Sequence, residues 1–320
     1  MLAYQLSAAG AVPALVDLPL PDPAEGEIRL AIAACGLNFA DLLMLKGTYQ
    51  DTPAPPFVPG MEVAGVIDAV GAGVSHLAPG MRVAVFGGKG GLAEYGCFPA
   101  SRAVVLPEGM DMIRAAALQV AYGTSHLALA HKAHLQPGET LLVLGAAGGV
   151  GLTAVEIGRA MGARVVACAR GADKLEVARK AGAEHLIDSD TQDIREACKA
   201  LGGLDVVYDP VGGDQFTAAF RACRPEGRLL CIGFASGDVP QVPANHLLVK
   251  NLSVIGLNWP AFFGFNPGLV TGSLATLMDW LAEGRIAPHV SHVLPLAQAS
   301  KALDLLRRRV STGKVVVTMA

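Results

Sequence analysis

The residues with the clearest chemical potential are four glycines, Gly145, Gly148, Gly149 and Gly151, which follow the apolar segment TLLVL. Glycine is needed where a backbone turns tightly and approaches a pyrophosphate, and the helix that follows offers N–H groups to the phosphates. Because the loop stands within a strand–helix–strand pattern, it predicts a dinucleotide-binding site. We expect six residues of this loop to contact the cofactor: Gly145, Ala147, Gly148, Gly149, Val150 and Gly151.

The end of the next strand indicates which dinucleotide binds. An NAD site usually has Asp or Glu there, whereas this strand ends VVACARGADK, with no acid before Asp173. Arg170 and Lys174 occupy the region, and cations suit the 2′-phosphate of NADPH. Ser189, after the following strand, adds a hydroxyl. We therefore expect NADPH; the alternative is that both cations are solvated surface charges.

Two kinds of framework must position these residues. From residue 140 to about 257, short apolar strands alternate with helical segments, which requires a parallel sheet with helices on both faces. The first 110 or so residues are instead β-rich, and a long helical pattern follows from residue 112. After residue 258 come an aromatic loop, helical segments at 269–283 and 296–309, and a last strand.

This order predicts an α/β protein in which a nucleotide domain interrupts a β-rich one. The expected boundaries are 1–118 for the first part of the β-rich catalytic domain, 119–257 for the nucleotide domain and 258–320 for the return segment.

Composition excludes several classes of protein. A chain of 320 residues that is 52% hydrophobic and 17% charged is globular, and a formal charge of −3 disfavours nucleic acid or an anionic membrane as a partner. No apolar run approaches the roughly 18 residues that span a membrane. The six cysteines include no CxxC pair, which is typical of reduced thiols. We expect a cytoplasmic protein.

Seven ordered segments resemble the medium-chain dehydrogenases/reductases, and most of all their zinc-free quinone oxidoreductase branch, related to zeta-crystallin. These segments are GLNFADLLMLKGTY, PFVPGMEVAGVIDAVGAGV, GMRVAVF, GGLAEY, GAAGGVG, VVYDPVGG and GKVVV. The resemblance implies a GroES-like catalytic domain split around a Rossmann domain, with cofactor and substrate in the cleft between them, and a homodimer.

The zinc-dependent branch of that family has Cys where this chain has Asn38 and His where it has Met61. Zinc prefers thiolate and imidazole ligands, so an amide and a thioether are poor replacements. His131 and His134 have helical spacing, but no third ligand is near them in the sequence, and we interpret them as a solvated helix end. We predict no metal.

Without a Lewis acid, alcohol oxidation is disfavoured, whereas a quinone or an α,β-unsaturated carbonyl can still accept hydride. Asn38 and Tyr49 are the expected hydrogen-bond donors to the acceptor oxygen. The alternatives are loop stabilisation by the Asn38 amide and a packing role for the Tyr49 ring. We expect Asp41 to hold the loop and Glu62 to be a buried partner.

Other residues complete the predicted site. Thr124 is expected to contact the nicotinamide, and we place Gly233 and Lys314 among the cofactor-binding residues. Trp259, Phe262 and Phe263 form an aromatic cluster that is either a pocket wall for a flat acceptor or plain core.

The sequence thus favours an NADPH-dependent quinone or enone reductase that uses no zinc. One alternative is an enoyl-thioester reductase acting on acyl-CoA, although no clear basic patch for its phosphates is present. The other is a non-catalytic NADPH-binding protein.

Overall fold

The computed structural model describes residues 1–319, which form two compact units. The first unit comprises residues 1–120 and 288–319, and the second comprises residues 121–287. The chain therefore leaves the first unit once and returns to it. Residues 258–287, expected in the return segment, lie in the second unit instead.

The first unit is built on a β-sheet. Its elements are β1 (Leu2–Gln5), β2 (Ala14–Asp17), β3 (Glu27–Leu37), α1 (Phe39–Lys46), β4 (Glu62–Val70), β5 (Arg82–Phe86), β6 (Tyr95–Pro99), β7 (Ala103–Val105), α2 (Met112–Ala116), the start of α3 (Gln119–His126), β14 (Val290–Pro295), α11 (Ala299–Arg307) and β15 (Lys314–Thr318). The seven-stranded sheet has the order β14-β15-β3-β4-β5-β7, and β6 also pairs with β3. β1 and β2 form a separate pair.

The long strand β3 organises this unit because it pairs with β4, β6 and β15. Its residues alternate between buried and half-buried until Cys35, after which the strand is buried throughout. The antiparallel register places Val315 opposite Leu37. The last strand of the chain therefore starts beside the residues that follow β3.

The second unit is a parallel sheet with helices between its strands. Its elements are the rest of α3, a π-helix (Leu127–Lys132), β8 (Thr140–Leu144), α4 (Gly149–Ala160), β9 (Arg164–Ala169), α5 (Ala172–Ala181), β10 (His185–Asp188), α6 (Ile194–Ala200), β11 (Leu204–Asp209), α7 (Gly213–Ala222), β12 (Cys223–Cys231), α8 (Ala244–Lys250), β13 (Ser253–Gly256), α9 (Phe262–Phe265) and α10 (Pro267–Ala282). The strand order β10-β9-β8-β11-β12-β13 is that of a Rossmann fold. The order of the strands reverses between β8 and β11, where such folds bind ligands beyond the carboxyl ends of the strands.

One helical expectation needs correction. The pattern from residue 112 forms two α-helices and a π-helix rather than one long helix. Elsewhere, helix α7 ends at Ala222, because Pro225 and the residue before it disfavour helical backbone. The segment after Leu37 forms helix α1.

Residues 258–287 stay with the second unit because their side chains pack there. A Cβ at Gly123 would lie 2.8 Å from three atoms of the Trp259 ring. Arg285 donates to the carbonyl oxygen of Ala160 at 2.7 Å, at the end of α4. In the described part of the chain, no helix is both long and apolar enough to cross a membrane.

Candidate cofactor and active site

The loop between β8 and α4 has the geometry of a phosphate cradle. Gly145 has a φ of 58°, in the region that favours glycine. A Cβ at Gly151 would lie 2.2 Å from the Gly145 carbonyl oxygen, so α4 approaches the end of β8 closely only because glycine stands there. Gly148 caps α4, whose first N–H groups have no intrahelical acceptor and suit phosphate oxygens.

A cluster of hydroxyl groups fixes the first turn of α4. Ser125 Oγ lies 2.8 Å from Thr153 Oγ1 and 2.9 Å from the Tyr208 hydroxyl. The carbonyl oxygen of Val150 lies within hydrogen-bond distance of both hydroxyls, 3.1 Å from Ser125 Oγ and 2.9 Å from Thr153 Oγ1. Thr124, expected to contact the cofactor, precedes Ser125 and is buried.

The residues expected at the 2′-phosphate lie on neighbouring loops. Arg170 directly follows β9 and Ser189 directly follows β10, and the two strands are paired. Lys174 lies in the first turn of α5. Arg170 is engaged in an exposed ion pair, with its Nε 3.3 Å from Asp190 Oδ1.

The loop after β11 is held by the buried carboxylate of Asp209. It accepts hydrogen bonds from the backbone N–H groups of Val211 at 2.7 Å and Gly212 at 2.9 Å. Burial raises the pKa of Asp209, and these hydrogen bonds oppose the rise. Gly233, after β12, donates its N–H to the Asp209 carbonyl oxygen at 3.3 Å.

The segments after β8, β9, β10 and β12 thus bring the predicted dinucleotide residues of the second unit, apart from Thr124 on α3, to the carboxyl edge of its sheet, where α/β folds bind ligands. The close approach of α4 to the end of β8 at Gly151 and the free N–H groups at the start of α4 fit a pyrophosphate. We conclude that the chemistry of this edge suits a dinucleotide.

In the first unit, Asn38 lies in a buried polar network at the start of α1. Its Nδ2 donates to Glu62 Oε1 at 2.9 Å and to the Gly36 carbonyl oxygen at 3.4 Å. Its Oδ1 accepts from Lys314 Nζ at 2.7 Å. Both ends of the Asn38 amide are therefore hydrogen-bonded within the chain. This geometry favours a loop-stabilising role for Asn38 over the role of a hydrogen-bond donor to the acceptor oxygen.

Lys314 is at the centre of the same network, and its side chain is 3% exposed. Its ammonium donates to the carbonyl oxygen of Leu37 at 2.8 Å, to Asn38 Oδ1 and, at 2.7 Å, to Glu62 Oε1. An ammonium has three N–H donors, so all of them are used here. This placement departs from the expectation that Lys314 contacts the cofactor, because β15 delivers it to the end of β3.

Asp41 holds the loop through two backbone groups. Its carboxylate accepts from the N–H of Asn38 at 2.8 Å, which closes a capping box, and from the N–H of Gly60 at 3.0 Å. Burial raises the pKa of Asp41 to about 6, and the two hydrogen bonds and the charge of Lys314 oppose the rise. These contacts are those of a residue that stabilises the loop.

Tyr49 follows α1 and is half-buried. Burial, together with the carboxylates of Asp51 and Asp41, raises the pKa of its phenol to about 12. The hydroxyl therefore remains protonated at neutral pH, and it can donate a hydrogen bond there.

The residues in the zinc-ligand positions do not fit zinc. The oxygen of Asn38 already accepts from an ammonium, and the other position holds Met61, a buried thioether. Within residues 1–319, no three His, Cys, Asp or Glu side chains are arranged as a metal site. His131 instead packs edge-on against Phe262, with ring centroids 6.1 Å apart.

The predicted aromatic cluster is mostly interior. Trp259 and Phe262 are buried, and Phe263 packs edge-on against Trp259 at 5.2 Å between ring centroids. The ring centroids of Phe262 and Phe265 lie 4.5 Å apart. These contacts favour the core interpretation for Trp259.

Gln119 is a buried polar residue that sequence reasoning missed. It is 1% exposed, and both atoms of its amide lack a hydrogen-bond partner among the described residues. The N–H of the next residue, Val120, donates to Glu62 Oε2 at 2.9 Å. Nothing in the sequence separates this glutamine from an ordinary helical residue.

Comparison with known families finds two matches. The profile described as an alcohol dehydrogenase GroES-like domain matches residues 24–108, and the profile described as a zinc-binding dehydrogenase matches residues 149–283. The first confirms a GroES-like fold in the first unit, and the second covers the parallel-sheet unit.

Individual proteins extend the similarity over the whole chain. A quinone oxidoreductase-like protein 2 homolog from Nematostella vectensis is 39% identical over 91% of this chain and 81% of its own. The quinone oxidoreductase of Thermus thermophilus, solved also in complex with NADPH, is 38% identical over 100% of both chains with a TM-score of 0.87. The Escherichia coli quinone oxidoreductase, complexed with NADPH, is 29% identical over 99% of both chains with a TM-score of 0.90.

Proposed function

Because the chain belongs to the quinone oxidoreductase branch of the medium-chain dehydrogenase/reductase family, we propose that it reduces quinones or α,β-unsaturated carbonyl compounds with NADPH and without zinc. Family membership makes it an oxidoreductase. The cofactor, the class of acceptor and the absence of zinc are the proposal.

The observation that carries the proposal is the loop from Gly145 to Gly151, whose close approach to α4 tolerates no side chain at Gly151. It is supported by two relatives that are described as NADPH complexes. Arg170, Lys174 and Ser189 supply cations and a hydroxyl suited to a 2′-phosphate.

When bound, NADPH supplies a hydride, which the electrophilic carbon of a quinone or enone accepts. The protein orients the acceptor and donates a hydrogen bond to the oxygen on which negative charge develops. We assign that donor to Tyr49, since its pKa of about 12 keeps the phenol protonated. Asn38, bonded to Glu62 and Lys314, fixes the start of α1, the helix that Tyr49 follows.

The test is steady-state NADPH oxidation with 1,4-benzoquinone, 9,10-phenanthrenequinone and 1-octen-3-one. A Gly151→Val variant prepared in the same way controls for contaminating reductases, because its side chain would collide with the Gly145 carbonyl. Turnover above that control with at least one acceptor is expected. Tight NADPH binding without any turnover would contradict the proposal, and faster turnover of crotonyl-CoA would favour an enoyl-thioester reductase.

We also infer that the protein works in the cytoplasm, from its composition and cysteine usage, and that it is a homodimer, from the family resemblance. Sedimentation equilibrium is expected to give twice the mass of one chain, and the mass of a single chain would contradict the dimer.

A further inference from the structure

Three carboxylates lie near the two predicted phosphate-binding cations at the carboxyl ends of β9 and β10. Arg170 and Lys174 are accompanied by Asp173, Asp188 and Asp190. The 2′-phosphate of NADPH is itself an anion of more than one charge at neutral pH, so each nearby carboxylate weakens its binding. NADH lacks that phosphate and does not experience this repulsion.

Asp188 fixes the arrangement of these two loops. Its Oδ1 accepts from the N–H of Gly171, after β9, and from the N–H of Asp190, after β10, both at 3.1 Å. The carboxylate thus connects the turn that carries Arg170 to the turn that carries Asp190.

Asp190 engages the guanidinium directly. Its Oδ1 lies 3.3 Å from Arg170 Nε, and the side chains of Arg170 and Asp190 are 66% and 54% exposed. Arginine binds phosphate best through its planar fork of N–H groups, and Asp190 places a negative charge beside that fork.

We propose that Asp190 is a specificity-determining residue that competes with the 2′-phosphate of NADPH for Arg170 and thereby weakens the preference of this chain for NADPH over NADH. The inference rests on the proposed function, in which Arg170 binds that phosphate. The end of β9 lacks the acid that is usual in an NAD site. Competition by Asp190 for Arg170 nevertheless allows the chain to accept NADH as well as NADPH.

The test measures the dissociation constants of NADPH and NADH by isothermal titration for the unaltered protein and for Asp190→Asn. In the variant, the ratio of the NADH to the NADPH dissociation constant is expected to rise about five-fold, the size typical of an exposed ion pair. The NADH constant itself is expected to change less than two-fold. An unchanged or smaller ratio would overturn the inference.

Glu176→Gln is the matched control, since it removes a carboxylate from an exposed ion pair with Arg179 on α5. Its ratio is expected to equal that of the unaltered protein, and an equal rise in both variants would show a general charge effect and overturn the inference. If the unaltered protein binds NADPH and reduces quinones but Asp190→Asn leaves the ratio unchanged, only the inference fails. If the unaltered protein binds no NADPH, the proposed function fails as well.

Discussion

Lys314 Nζ lies 2.7 Å from Glu62 Oε1, and the two side chains are 3% and 1% exposed. The pair joins the start of β15 to the start of β4, and Asn38 bonds to both members. Two buried charges stabilise each other only as a pair, because each alone would lose its hydration without compensation. The network therefore makes the loop before α1 depend on the last strand of the chain.

Replacing Lys314 by Met should destabilise the protein strongly. It leaves the Glu62 carboxylate buried without its partner, which costs about 3–5 kcal/mol. Urea unfolding followed by circular dichroism measures the loss. The matched control is Arg307→Met, which removes an exposed pair with Asp304 and should cost less than about 1 kcal/mol. Equal losses in the two variants would contradict the assignment.

Asp41 should make stability depend on pH. Its raised pKa means that, between pH 3.8 and about 6, the folded state keeps a proton that the unfolded state has released. The contribution of this group therefore falls as pH rises through that window. The free energy of unfolding of the unaltered protein minus that of Asp41→Asn should fall by about 2–3 kcal/mol between pH 4 and pH 7. A difference that does not vary with pH would show that the pKa is not raised.

Tyr49→Phe should lower kcat for quinone reduction about 10- to 100-fold while the dissociation constant of NADPH stays the same, because only the hydrogen bond to the acceptor oxygen is lost. Stopped-flow kinetics at saturating NADPH separates the two quantities. With a phenol pKa of about 12, the rate of the unaltered protein should show no tyrosine titration below pH 10. An unchanged kcat in the variant would assign Tyr49 to packing.

Gly151→Ala should weaken NADPH binding at least ten-fold, since its Cβ would lie 2.2 Å from the Gly145 carbonyl oxygen and the phosphate loop must move. Fluorescence titration with NADPH measures the change. Gly272→Ala, on α10, is the control because a Cβ there meets no atom within 4 Å. Weakening of the same size in both variants would argue against a cradle at this loop.

The cofactor loop could be predicted from sequence because its signal is local. The apolar strand β8, the glycines after it and the helix α4 are contiguous, and each follows from backbone geometry. The Rossmann order of the sheet follows the same alternation of strands and helices.

The buried network was less predictable because its members are distant in the chain. Lys314 and Glu62 are 252 residues apart, and only the pairing of β15 with β3 brings the lysine to Asn38. The same limit applies to Trp259, since an aromatic run is equally typical of a pocket wall and of a core. A lone glutamine such as Gln119 carries no signal at all.

Turnover after metal removal is the most direct test of reduction without zinc. The unaltered protein is dialysed against a chelator, its zinc content is measured by mass spectrometry, and NADPH oxidation with 9,10-phenanthrenequinone is followed by absorbance. We predict full activity with less than about 0.1 zinc per chain, because Asn38 and Met61 are poor zinc ligands. Activity that disappears on chelation and returns when zinc is added would contradict a zinc-free mechanism.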